Sequence, residues 1–268
     1  MLIVKRIDVT SEKIKPWIKY FWHLYSTEPM DVNHKLIPTN NIDIILNYSE
    51  DIYYRFNQAE RKAERFHFRG ISMKPCYIIQ KGIINVVGIS FFPYGMFPFI
   101  RRDLDQMVEP IYNLADVMKN VADRIHNIEL GSIGIEDYIT KLQLFLEDAL
   151  YDGNMNISMI HRIREYLKTG YDISILEFCR INDISVKTFE RACKKYVGYT
   201  PKKILRLERF LDINRRMLAQ NRVMFDLMEN DYFFDQSHFI KDFHTLSGNT
   251  PNCYIHNQDT VKNLTSLE

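Results

Sequence analysis

Apolar and polar positions along NIDIILNY (residues 41–48) alternate as a half-buried strand requires, and INVVGISFF (84–92) reads as a strand covered on both faces. KAERFHF (62–68) predicts a further strand. Turn residues separate these runs: Pro38-Thr39-Asn40-Asn41, Gly70, Pro75, Gly82 and Pro93-Tyr94-Gly95. Such a series predicts a mostly β barrel or sandwich. From about residue 111 the period becomes helical. GIEDYITKLQLFLEDAL (134–150) sets Tyr138, Leu142, Phe145 and Ala149 on one stripe, with Ile135, Ile139 and Leu146 beside it. That stripe suits either packing on its own β domain or pairing two subunits. YDGNMNIS (151–158) is short, polar and contains Gly153, so it is the expected linker. After it nearly everything reads as helix, with breaks at Gly170, Asn182-Asp183, Gly198, Asn221 and Gly248. The fold class expected is α+β, with domains at 1–150 and 151–268.

Composition supports two cores: of 268 residues, 46% are hydrophobic and 13% aromatic, which excludes bulk disorder. The four cysteines form no CxxC pair and no zinc spacing, which suits a reducing cytosol. MLIVKRIDVTSEK is charged too early for a signal peptide. The longest apolar run is interrupted by Pro93, Gly95 and Pro98 and is short of the ~20 residues a bilayer span needs. The expectation is a cytoplasmic chain without a membrane span. Cys179 and Cys193 fall at helix core positions, and Cys76 falls on an expected surface loop, where a redox role is the weaker reading. Trp17, Tyr20, Phe21 and Trp22 are expected to be core before ligand cage.

Charge is unevenly spread. Residues 1–155 carry 18 Lys/Arg against 20 Asp/Glu, and residues 156–268 carry 17 against 14. Within 185–222, 11 basic residues face three acids, a local +8 that favours a polyanion partner.

An internal repeat explains where that charge sits. DISVKTFERACKKYVGYTP (183–201) aligns with FFDQSHFIKDFHTLSGNTP (233–251) without a gap, pairing Phe189 with Phe239, Arg191 with Lys241, Gly198 with Gly248 and Pro201 with Pro251. In each copy a cap, Ser185 or Asp235, opens a helix. Gly198 or Gly248 closes it in a left-handed conformation. Thr-Pro then opens the next helix. Shorter helical segments precede the copies, at 173–180 and 222–229, and one long helix, 201–220, joins them. Short helix, turn and polar-faced helix make a helix-turn-helix.

On these residues, with Phe178-Cys179, Phe233, Gln236, Ser237, Phe243 and Thr250, residues 156–256 resemble the DNA-binding domain of AraC/XylS-type transcriptional regulators. The resemblance implies seven helices, two helix-turn-helix units and double-stranded DNA bound over adjacent major-groove segments. Tyr232 stands where the family usually has Gly, which predicts an altered turn before the second recognition helix. The N-terminal half, on KPWIKYFW (15–22), LIPTNNIDIILN (36–47) and GISFFPYG (88–95), is similar to cupin-like sensor domains: a mostly β barrel with flanking helices that binds a small effector or dimerises. By family analogy the protein is expected to activate transcription through RNA polymerase; a homodimer is a further option for its N-terminal half.

Arg191 is the expected base reader, since Arg bidentate to guanine is the commonest specific contact. Lys187, Thr188 and Lys194 are expected on bases or phosphates. Glu190 either accepts from cytosine or pairs with Lys194 at i, i+4. Gln236, Ser237, His238 and Lys241 are their counterparts; ordinary surface roles are the alternative for each. Residues 223–256 hold five acids against Lys241 alone, so the first unit is expected to dominate affinity. Catalysis is not expected: His67 lacks the paired histidine of a metal-binding cupin, His23, His34 and His126 lack ligand spacing, and no phosphate loop or GxSxG elbow is present. Neither metal nor cofactor is expected. The alternative function is a small-molecule-converting cupin enzyme with an appended DNA-binding domain.

Overall fold

The computed structural model describes residues 1–256 apart from 101, 108, 129, 131–132, 152, 154, 170–172, 221–222 and 224–235. Among these residues are ten strands, the last of them after the first helix: β1 (Leu2–Ile7), β2 (Ile18–Ser26), β3 (Met30–Leu36), β4 (Ile42–Asn47), β5 (Tyr53–Phe56), β6 (Ala59–Lys62), β7 (Phe66–Arg69), β8 (Cys76–Gly82), β9 (Asn85–Phe91) and β10 (Ile111–Asn113). They form two antiparallel sheets, ordered β1-β2-β9-β4-β7-β10 and β3-β8-β5-β6.

The period of two sorts side chains between the faces of the first sheet. Phe21, Ile44, Phe68, Ile89 and Phe91 join a core with the following helices, while Ile45, Val86 and Ile111 join a second core with Tyr54 and Cys76 of the other sheet. Burying such a side chain contributes about 1.5–3 kcal/mol. β4 is therefore covered on both faces, and only Asp43 along it keeps appreciable surface. This corrects the half-buried expectation for 41–48.

KAERFHF is not one strand. Asn57, at φ 55, turns the β5–β6 hairpin, and β6 stays in the second sheet. Residues 63–65 break the run: the Ala63 amide donates to the Ile52 carbonyl and the Arg65 carbonyl accepts from the Asn47 amide. β7 then pairs with β4 in the first sheet. Cys76 is likewise not on a surface loop. It opens β8 and is 2% exposed, so the redox reading falls.

Four helices, α1 (Phe97–Ile100), α2 (Leu114–Val117), α3 (Lys119–His126) and α4 (Ile135–Ala149), lie within the first half. Tyr138, Ile139, Leu142 and Leu146 of α4 are buried in the core of the first sheet, so the stripe packs on its own domain. Gln143 fixes this helix by accepting from the Thr10 and Ser11 amides at 2.9 and 3.0 Å.

The second half is helical: α5 (Ile157–Lys168), α6 (Ile175–Ile181), α7 (Val186–Val197), α8 (Pro201–Gln220), α9 (Gln236–Ser247) and α10 (Pro251–His256). The helix expected at 222–229, Tyr232 and the Asp235 cap lie outside the described residues. The helical half does not build its cores alone. Tyr94 and Phe97 belong to the cluster of Ile163, Tyr166, Phe189 and Tyr196, and Ile37 belongs to that of Leu207, Phe210, Phe239 and Phe243.

Candidate nucleic-acid interface and interior cavity

The first unit is held by local chemistry. Ser174 caps α6 by accepting from the Glu177 amide, and Ser185 caps α7 by accepting from the Thr188 amide at 3.1 Å. Gly198, at φ 87, ends α7 and donates its amide to the Lys194 carbonyl at 2.8 Å. A Cβ there would also lie 3.2 Å from the Leu104 carbonyl oxygen. Phe189, Ala192, Cys193 and Tyr196 are buried, so helical geometry leaves Lys187, Arg191 and Lys194 exposed on the other face. None of these three forms an ion pair among the described residues, which leaves their charges available to a polyanion. Glu190 is half-buried and makes no ion pair with Lys194 there. Thr188 is partly committed to the cap, since its hydroxyl accepts from Ser185 Oγ at 2.8 Å.

In the second unit Phe239, Phe243 and Leu246 are buried, while Gln236, Ser237, His238 and Lys241 are exposed. Gly248, at φ 71, closes α9. One acid of this unit is paired from outside it. Asp242 takes a bidentate ion pair from Arg206 of α8, at 3.0 and 2.9 Å, and His238 Nε2 lies 4.0 Å from the same carboxylate. α8 has 20 residues, about 30 Å of rod at 1.5 Å per residue, close to the ~34 Å between major-groove faces one turn apart.

Helices of the second half also grip the first. Asn40 Nδ2 donates to Glu208 Oε1 of α8 at 2.6 Å, and burial pushes the Glu208 carboxyl above its ordinary range. Tyr199 donates to the Ile71 carbonyl at 3.1 Å, and the Phe97 ring meets Tyr196 edge-on at 4.6 Å.

Between the sheets lies a cavity of about 230 Å³. Leu24, Val32, Ile78 and Ile84 give it apolar walls, and Leu211, Asn214, Arg215 and Leu218 of α8 close one side. Sequence reasoning missed its polar side. Tyr20, Ser90, Asp43 and Arg69 stand on β2, β9, β4 and β7, and they are successive register partners, one row across four neighbouring strands. All four line the cavity. Trp22 Nε1 donates to Ser90 Oγ at 3.2 Å, and Ser90 Oγ donates to Asp43 Oδ1 at 2.5 Å. Burial raises the Asp43 pKa, partly offset by the Ser90 hydrogen bond and by Arg69 and Lys19. Of the four aromatics expected as core, Phe21 is core, while Tyr20 and Trp22 line this cavity. A polar residue inside an otherwise apolar strand was the available signal: Asp43 in NIDIILN and Ser90 in VVGISFF.

No group of three His, Cys, Asp or Glu among the described residues is placed to hold a metal. His67, fully buried, lies between the Glu64 carbonyl and the Tyr54 hydroxyl, and burial lowers its pKa to about 4. Burial pushes the Cys179 and Cys193 thiols up, away from nucleophilic thiolate. No helix among the described residues is long and apolar enough to cross a membrane.

Two family models match the chain: a domain of unknown function over residues 10–111 and a helix-turn-helix domain over residues 178–257. No curated protein matches. Among solved structures, ToxT from Vibrio cholerae is 11% identical with a TM-score of 0.45, covering 96% of this chain and 97% of that one. ToxT bound to (E)-4-(8-methylnaphthalen-1-yl)but-3-enoic acid is 10% identical, TM-score 0.46, over 96% and 98%. The AraC-like transcriptional activator CuxR is 15% identical, TM-score 0.26, over 85% and 90%. The helix-turn-helix match spans α7, α8, α9 and α10, so residues 178–257 of this chain form a helix-turn-helix domain.

Proposed function

We propose that α7 and α9 enter adjacent major-groove segments of duplex DNA and that a small molecule in the interior cavity governs how they are held. Arg191 is the principal base reader of the first unit, flanked by Lys187 and Lys194. Gln236, Ser237 and Lys241 serve the second. Thr188, Glu190 and His238, each turned partly to an internal partner or half-buried, contribute less.

The observation that carries the control is the double duty of α8. It is the rod from which both recognition helices hang, and its residues Leu211, Asn214, Arg215 and Leu218 are also a wall of the cavity. A ligand that presses on this wall acts on both units at once. Its leverage equals its differential affinity for the two poses of the rod.

Duplexes selected from a random-sequence pool supply the DNA for the test. Ile78→Trp, which fills the cavity from the sheet side, is expected to change affinity for the selected duplex at least fivefold, whereas Arg191→Ala is expected to abolish selective binding. Unchanged affinity in Ile78→Trp refutes the control. Retained selectivity in Arg191→Ala refutes the readout.

A further inference from the structure

The cavity has an apolar side, a row of polar groups across one sheet, and further polar groups at Asn41, Gln80, Asn214 and Arg215. That row is a product of register. Tyr20 faces Ser90, Ser90 faces Asp43 and Asp43 faces Arg69, across four strands whose alternation sends all four side chains to the inner face. Most of the row has prior commitments. The Tyr20 hydroxyl accepts from Asn41 Nδ2 at 3.2 Å, and Ser90 is used by Trp22 and Asp43. Its far end is different. Asp43 accepts a hydrogen bond from Ser90 and keeps further lone pairs. Arg69 has five N–H donors, and its contacts are a 3.7 Å hydrogen bond from Nη2 to Cys76 Sγ and a position 6.0 Å from the Tyr54 ring centroid. The two groups do not form an ion pair with each other within 4.0 Å. Both side chains keep part of their surface and line the cavity, so the donors and lone pairs they do not use are open to a bound molecule.

We infer that Asp43 and Arg69 form the head-group site of the cavity, and that the effector is a mostly apolar, uncharged molecule whose polar edge carries a hydrogen-bond acceptor beside a donor, as a carboxamide does. The carbonyl accepts from Arg69 and the amide N–H donates to Asp43. The apolar body lies against Leu24, Val32, Ile78 and Ile84. An anionic head is drawn to Arg69 but repelled by Asp43 next to it, and a cationic head meets the reverse. Specificity thus arises as much from the repelled alternatives as from the pair made. The inference rests on the effector reading above and names the chemistry of that site.

Three compounds of one skeleton test it on the full-length chain: 4-phenylbutanamide, 4-phenylbutanoate and 4-phenylbutylamine, compared by calorimetry and thermal shift at pH 7.5. The amide is expected to bind at least tenfold more tightly than either charged analogue. Asp43→Asn is expected to move the preference to the butanoate, and Arg69→Gln to the butylamine. A purely structural role for the pair predicts weaker binding of all three compounds without such a reversal. A discrimination below tenfold in the native chain, binding of none of the three, or variants that keep the amide preference overturns the inference. Should either variant fail to fold, the reversal in the other decides. The effector reading has its own readout. Altered DNA affinity in Ile78→Trp together with lost amide preference overturns the head-group assignment alone; unchanged affinity there overturns the control as well.

Discussion

Replacing Gly88 with alanine plants a Cβ 1.8 Å from Trp22 Cε2 and 2.0 Å from Cζ2. Carbon pairs sit comfortably at about 3.5–4.0 Å, so one partner must give way by roughly 2 Å. The strand cannot: β9 is held between β2 and β4, with Trp22 itself the register partner of Gly88. The indole therefore swings out, and its hydrogen bond to Ser90 goes with it. Overpacking of this kind costs about 1–3 kcal/mol, and the lost hydrogen bond about 1 kcal/mol. At ~2–4 °C per kcal/mol for a chain of this size, Gly88→Ala should lower Tm by roughly 5–15 °C. Trp17 and Trp22 are the two tryptophans of the chain, so a Trp17→Phe background isolates the indole in question. Its emission should shift as the ring leaves its place beside Ser90. A Tm within about 1 °C of the parent, with unchanged emission, refutes this account of the cavity wall.

Ser185→Ala removes the cap of α7 and should cost about 1 kcal/mol, read by urea unfolding, with a larger loss of DNA affinity than Ser174→Ala gives on the preceding helix. In salt-titrated binding to a selected duplex, Arg191→Ala should lose more affinity than Lys241→Ala, and each phosphate contact removed should reduce the log–log salt slope by about 0.9; a larger loss at Lys241 contradicts dominance of the first unit. His67 titrates at about 4 in the fold against 6.5 when free. Because the unfolded chain takes up this proton first, the stability His67 contributes is full above pH 6.5 and is lost as pH falls toward 4. That amounts to roughly 3 kcal/mol at 1.36 kcal/mol per pH unit. Unfolding at pH 7 and pH 4 should therefore differ less in His67→Gln than in the parent.

The recognition helices were legible because their signals are local. A serine three residues before its amide partner and a glycine at positive φ leave marks a few positions apart. The spacer helix was legible for the same reason, its apolar positions repeating along one continuous segment. The polar row was not, because Tyr20, Asp43, Arg69 and Ser90 are brought together by the register of four strands, and register does not show in any one of them. The division of residues 62–68 did leave a mark, since Glu64 and Arg65 are two polar residues in a row where the chain passes from one sheet to the other. Counting within residues 223–256 could not show that Asp242 is paired, because Arg206, its partner, lies 36 residues upstream on another helix.

The presence of Ile37, Tyr94 and Phe97 among the packing partners of the helical half bears on modular exchange. Severed at the linker, that half would present to water the hydrophobic seats those three side chains occupy, and it would tend to clump. Regulators assembled by swapping whole sensing halves would need donors whose corresponding knobs match these seats, so recombination within such a lineage is constrained by fit at the seam as well as by what the sensor detects.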